Sequence, residues 1–271
     1  MTAETQSLIP TWHMSSGRIQ GLAMFILSDN LAAMSKTRTK IIGDYIAMIQ
    51  SAAPLKTFNA LRIFLATSEA AKTPLIDMIQ SAGITVVADT IDSVWHTTTP
   101  TAYTNYLKSL YNRGINLFCI DDCHRYSVAQ IKAMTAPLMA LPDTTVILSS
   151  GATKDPLTKS ARAAALLQLP LEVQLYVSPD ETGFVRTWTN DTGMAIGAIG
   201  CYSSALGKPL PNLATLQAIF TNLNPAIPNL SVFGHNEYTD FRKPGNKPQW
   251  KALCQLLDAW HKRDLTVKSD Q

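Results

Sequence analysis

INLFCIDDCHRYSVAQIKAM, residues 115–134, decides how the rest of the chain is read. An apolar run, Ile115 to Ile120, has the length of a buried strand. It ends on Asp121, Asp122, Cys123 and His124, and a helical pattern with its own polar start follows from Ser127. Acids gathered at the tip of a buried strand suit three chemistries: holding a metal ion, moving protons as a glycosidase acid pair, or hydrolysing a nucleotide.

Outward from this unit, strand and helix signals alternate. ALRIFLAT (60–67), ITVVADT (84–90) and TTVILSS (144–150) read as buried strands, and GLAMFIL (21–27) as a strand or a helix. Between them, SEAAKTPLIDMIQSAG and TAYTNYLKSLYNRG read as helices stopped at Gly83 and Gly114. After Pro170 the rhythm loosens: LEVQLYVS, FVRTWTN, MAIGAIGCYS and LSVFGHNE look like strands, and QWKALCQLLDAWHKR like a closing amphipathic helix. Repeated strand–helix units predict a mostly parallel sheet flanked by helices, or a (β/α)8 barrel. Both place functional residues at the C-terminal ends of strands.

The 271 residues are 46% hydrophobic, enough for a real core, while only 16% are charged. The net charge of +3 permits a polyanionic partner without demanding one. Four cysteines, at 119, 123, 201 and 254, show no paired metal-binding spacing, and those on apolar faces read as buried thiols. The polar N-terminus carries no secretion signal and no apolar run reaches membrane-spanning length, which points to a reducing, cytoplasmic setting without membrane insertion.

The predicted strand ends carry Ser68 and Glu69, Asp89 and Thr90, Asp121 to His124, Ser149 to Thr153, Ser203 and Ser204, and His235 to Glu237. Two carboxyls among them suit glycoside hydrolysis on a (β/α)8 barrel, with Asp121 paired to Glu237 or Glu181. Read as structure, the same acids cap the next helix, as Asp122 would for SVAQIKAM.

The order of the elements adds a resemblance. DDCH at one strand end, SSGAT at the next, TTTPTAYTNYL (97–107) before the DDCH strand and FLATSEAA (64–71) earlier resemble, in sequence order, the boxes of superfamily-2 RNA helicases of the hepacivirus, flavivirus and potyvirus type. The resemblance implies an α/β fold: a RecA-like parallel sheet flanked by helices over residues 1–168, then a smaller, incomplete RecA-like domain over 169–271. It implies ATP and Mg²⁺ as cofactors and single-stranded RNA as partner. Ser15, Ser16, Gly17 and Arg18 would face the phosphates. Asp121 would meet the metal, with Asp122 and His124 completing the catalytic box. Thr67, Ser68, Thr97, Thr98, Thr99, Ser203, Ser204 and His235 would grip the RNA backbone, and Trp95 and Tyr103 would stack bases.

The chain departs from that pattern where the motor needs it most. HMSSGRIQG (13–21) has Arg18 where a lysine belongs and Ile19 where a hydroxyl holds Mg²⁺. Asp122 is one methylene shorter than the family's glutamate, and no later arginine motif follows Arg242. The resemblance therefore implies a degenerate, virus-type helicase domain that binds RNA, and ATP with Mg²⁺ at most weakly, without unwinding. The alternatives are an assembly scaffold, suited by the apolar face Trp250, Leu253, Leu256, Leu257 and Trp260, and the (β/α)8 glycoside hydrolase.

Overall fold

The computed structural model describes residues 20–24, 36–50, 60–65, 67, 72–175, 198–201, 229–233 and 242–262, with single helical positions at 214, 217, 218 and 221. Eight parallel strands close into a barrel: β1 Gln20–Met24, β2 Ala60–Phe64, β3 Thr85–Asp89, β4 Leu117–Ile120, β5 Thr145–Gly151, β6 Leu171–Leu175, β7 Ala198–Cys201 and β8 Asn229–Phe233. Each strand pairs with the next in sequence, and β8 returns to β1 with Ser231 opposite Gly21.

The described helices are α1 Lys36–Gln50, α2 Leu75–Ser81, α3 Ile91–Thr97, α4 Pro100–Asn112, α5 Val128–Met139, α6 Lys154–Leu167 and α7 Lys247–Lys262. Local sequence sets their ends. Ser127 opens α5 with a reciprocal capping box to Gln130, and Thr99 caps α4 through the amide of Ala102. Gly83 and Gly114 follow α2 and α4 with φ of +73° and +78°, a left-handed turn that glycine makes at no steric cost.

Side chains alternate across the barrel wall. Leu61, Ile63, Val86, Ala88, Phe118, Ile120, Val146, Leu148 and Val173 belong to one large core that includes residues of all seven helices. The opposite positions form a second, small apolar cluster of Ala60, Val87, Leu117, Cys119 and Ile147 inside the barrel. Above that plug the interior turns polar: Arg62, Asp89, Ser149, Glu172 and Gln174 are all buried.

This architecture corrects the RecA-like expectation. A doubly wound sheet has two edges, whereas here the strands form a ring. Leu148 pairs with Leu171, so residues on either side of the expected 168/169 boundary belong to one sheet, with no second RecA-like sheet among the described residues. The physical signal was in mid-strand. A strand covered by helices on both faces is apolar throughout, but ALRIF and LEVQL each carry a charge at an alternate position. Such a charge needs a polar interior, which a barrel lumen provides. In α7, Trp250 and Leu253 are buried in the barrel's own core and Leu256 packs against it, so these three of the five residues on which the scaffold alternative rested cover the barrel itself, while the side chains of Leu257 and Trp260 lie outside the described ones. Among the described residues no helix is long and apolar enough to cross a membrane.

Candidate active site at the barrel mouth

The polar interior is a connected chain of side chains. Arg62 of β2 donates from Nε to Asp89 Oδ2 at 2.8 Å and from Nη2 to Asp89 Oδ1 at 3.2 Å. Its Nη1 donates to Glu172 Oε1, and Nη2 also lies 2.7 Å from Cys119 Sγ. Ser149 Oγ donates to Glu172 Oε1 at 3.1 Å. Gln174 Nε2 donates to Ser149 Oγ at 2.7 Å and to Asp121 Oδ1 at 2.6 Å. The connection thus climbs from Arg62, Cys119 and Glu172, through Asp89 and Ser149, to Asp121 and Gln174. Successive levels draw on even-numbered, odd-numbered and again even-numbered strands, the layering expected of a filled (β/α)8 interior.

Burial makes this chain energetically expensive. Arg62 is 2% exposed, Asp89 4% and Glu172 0%. Charge-assisted hydrogen bonds from one guanidinium to both buried carboxylates offset part of that desolvation cost. Cys119 stays a thiol, because burial pushes its pKa far up despite the nearby guanidinium.

Asp121 tops the chain, one residue past the end of β4. Burial, and next the neighbouring Asp89 carboxylate, push its pKa up to about 7; Arg62 and the Gln174 bond only partly oppose this. Its Oδ1 accepts from both Gln174 and the Asp122 amide, the latter at 3.0 Å. Among the described residues no hydrogen bond is made to Oδ2. The carboxyl is therefore asymmetric: one oxygen is anchored and the other is left for a proton.

A second acid steadies the same strand tip from behind. Asp92, in the first turn of α3, accepts from the Asp121 amide at 3.2 Å and from the Tyr126 hydroxyl at 2.8 Å. Burial raises the Asp92 pKa, and these two bonds hold it down only in part. The backbone is strained here too. Thr90 and Asp122, directly after the strand-end acids of β3 and β4, adopt φ of 57° and 44°. A β-branched residue in that region is an outlier, and such strain concentrates at functional sites. Beside the mouth, Gly151 ends β5 opposite Gln174, and a Cβ built there would meet nothing within 4 Å among the described residues.

The residues singled out from sequence fare unequally. Asp121 takes the central position. Asp122 turns outward to Arg125 Nη2 at 2.6 Å, so it does not share the lumen with Asp121. His124 keeps its Nδ1 buried, with no hydrogen-bond partner among the described residues, 4.0 Å from Asp122 Oδ1. Cys123 is a core residue whose thiol is pushed up to about 12, with burial the main cause. The threonines expected to grip RNA perform helix-end chemistry: Thr97 and Thr98 donate to the Val94 carbonyl at 3.3 Å and 2.7 Å, and Thr99 caps α4. Thr67 follows β2 and is engaged by a partner of its own. Tyr103 is buried and meets Trp95 edge-on at 5.2 Å, so this pair packs inside rather than stacking bases. Ser15, Ser16, Gly17, Arg18, Ser68, Ser203, Ser204, His235, Glu181 and Glu237 lie outside the described residues. Among the described residues no three His, Cys, Asp or Glu side chains are grouped to hold a metal ion, so the metal-linked role implied for Asp121 finds no companion ligands there.

Comparison with known proteins agrees with the barrel. No protein-family model matches the chain, and no curated protein matches it. Among solved structures it is similar to the carboxyl transferase domain of Rhizobium etli pyruvate carboxylase with pyruvate, at 11% identity and a TM-score of 0.55, covering 90% of this chain and 48% of that one. It is also similar to a sugar phosphate isomerase/epimerase from Parabacteroides distasonis, at 7% identity and a TM-score of 0.52, covering 93% and 99%. The chain spans about half the length of the carboxyl transferase chains it matches. Identities this low show the fold alone. These likenesses are to barrel enzymes and not to helicases, so the reading as a degenerate helicase-like RNA binder with a phosphate loop is overturned. DDCH and SSGAT each lie where a strand of the barrel passes into the next helical segment, a position that parallel α/β folds of either kind share.

Proposed function

We propose that this chain is a (β/α)8 enzyme in which Asp121 transfers a proton at the mouth of the barrel, and that its reaction is hydrolysis of a glycosidic bond with Asp121 as the general acid. The observation that carries the reading is a strand-end carboxyl with a pKa of about 7 and one oxygen free of hydrogen bonds among the described residues. Half-protonated near neutrality, it is matched to giving a proton to a leaving group and taking one back. Glycoside hydrolysis asks for such an acid together with a second carboxyl across the substrate. The sequence offers Glu181 and Glu237 for that second role.

The test is a panel of aryl glycosides and unactivated oligosaccharides, assayed for sugar release by the wild type and Asp121→Asn. A general acid contributes about 10²–10⁴ in rate. Its loss is greatest where the leaving group needs the proton, so Asp121→Asn should lose far more on oligosaccharides than on nitrophenyl glycosides. Equal losses on both would remove the acid role. Turnover of no glycoside would remove the substrate class.

A further inference from the structure

Gln174 stands where two halves of the barrel interior meet. Its single Nε2 serves Asp121 Oδ1 at 2.6 Å and Ser149 Oγ at 2.7 Å, using both of its N–H groups. Ser149 in turn spends its one proton on Glu172 Oε1 at 3.1 Å, an oxygen that also takes Arg62 Nη1. Each donor and acceptor is thereby fixed in direction. Arg62 and Glu172 orient Ser149, Ser149 orients the Gln174 amide, and the amide pins one oxygen of Asp121. Reversal of the amide would place a carbonyl oxygen against Asp121 Oδ1, so the order of the chain sets the order of the amide. Gln174 and Ser149 are both buried, so water does not substitute readily for either.

We propose that Gln174 and Ser149 are positioning residues for Asp121: they carry the orientation of the buried Arg62–Glu172 pair up to the barrel mouth, anchor Oδ1, and make Oδ2 the atom that exchanges its proton with substrate. The proposal rests on the reading of Asp121 as the proton-transfer group. Neither residue touches the reacting bond; both act through Asp121. The charged and titratable groups that bear on Asp121 come from four sides: Asp89 from β3, Arg62 from β2, Asp122 on its own loop, and Asp92 behind its amide. Gln174 is a neutral donor among them, so its removal takes away a hydrogen bond without adding or removing a charge.

The experiment is a ¹³C NMR titration of the Asp121 carboxyl in the full chain, compared across wild type, Gln174→Met and Ser149→Ala, with circular dichroism confirming the fold. The bond from Gln174 favours the ionised carboxyl, so its loss should move the Asp121 midpoint upward by about one pH unit. Ser149→Ala keeps that bond but frees the amide to turn, and should move the midpoint in the same direction by less. A merely structural role would lower the melting temperature and leave the midpoint in place. An unchanged midpoint in folded Gln174→Met overturns the proposal. If that variant does not fold, an unchanged midpoint in Ser149→Ala overturns it instead. A wild-type midpoint near the ordinary aspartate value would instead overturn the acid role under Proposed function. The coupling is judged separately, by the difference between variants.

Discussion

Arg62 and Asp89 form a two-point ion pair inside the barrel, Nε to Oδ2 at 2.8 Å and Nη2 to Oδ1 at 3.2 Å, with Glu172 on the far side of the same guanidinium. Removing the cation strands two carboxylates in a closed interior. Breaking a buried pair in this way costs about 3–5 kcal/mol. Arg62→Met should therefore lose at least that much stability in urea unfolding. Arg62→Lys should recover only part of it, because a point charge does not reproduce the planar fork. A loss below about 1 kcal/mol for Arg62→Met would show that the lumen is hydrated.

The raised Asp121 pKa has a sign that stability measurements can read. Between its ordinary value of 3.8 and about 7, the folded chain holds a proton that the unfolded chain releases. Stability from this group therefore falls as pH rises through that window. Asp121→Asn keeps the acceptor oxygen and never ionises. It should match the wild type near pH 4 and become the more stable protein above pH 7, by an amount on the order of a few kcal/mol. Parallel stability–pH curves for the two proteins would argue against the shift.

Tyr126 and the Asp121 amide share one carboxyl, that of Asp92. Tyr126→Phe takes a hydroxyl donor away from Asp92 in a buried place. The expected cost is about 1–3 kcal/mol. The Asp92 pKa should rise further, because the lost bond favoured its ionised form. A carboxyl titration of Asp92 in the two proteins checks this, and an unmoved midpoint would mean that water replaces the hydroxyl.

Asp122 separates the barrel reading from the earlier box reading. Its φ of 44° suits glycine, and its side chain makes a partly exposed pair with Arg125 and lies 4.0 Å from His124 Nδ1. Asp122→Gly should be neutral to stabilising, by up to about 1 kcal/mol in thermal unfolding, with sugar release retained. A collapse of activity would return Asp122 to the catalytic centre.

Gly151 lies beside open space at the mouth. Gly151 is half-buried at the end of β5, so Gly151→Val should weaken substrate affinity at a stability cost of no more than about 1 kcal/mol, read by thermal unfolding. An unchanged KM would place the substrate elsewhere around the rim.

The strands and helices were largely legible in the sequence, and their closure was not. Apolar runs such as TTVILSS announce a buried strand, and Gly83 and Gly114 announce the helix ends. Nothing in a local pattern states which strand is last beside β1, however, because Gly21 and Ser231 meet only in space. Asp121 was visible as an acid at a strand tip. Arg62 and Glu172 carried a usable signal, each a charge at an inward position of an otherwise apolar strand. Gln174 and Tyr126 carried none: a glutamine in a strand and a tyrosine in a loop are ordinary until their partners are known. Asp122 is the strand-end acid that could cap α5 by its place in the sequence, but Ser127 performs the capping, five residues on.

The seam between β1 and β8 has a consequence for synthesis. On the ribosome, residues 20–24 emerge long before residues 229–233, their neighbours on one side. Until then β1 exposes an unpaired edge, of the kind that recruits strands from other chains. Pairing across so long a separation is a late and slow event. The nascent barrel must therefore pass its most aggregation-prone interval as an open, C-shaped sheet, during which a chaperone would have its chance to bind, and completion of the eighth strand ends that interval.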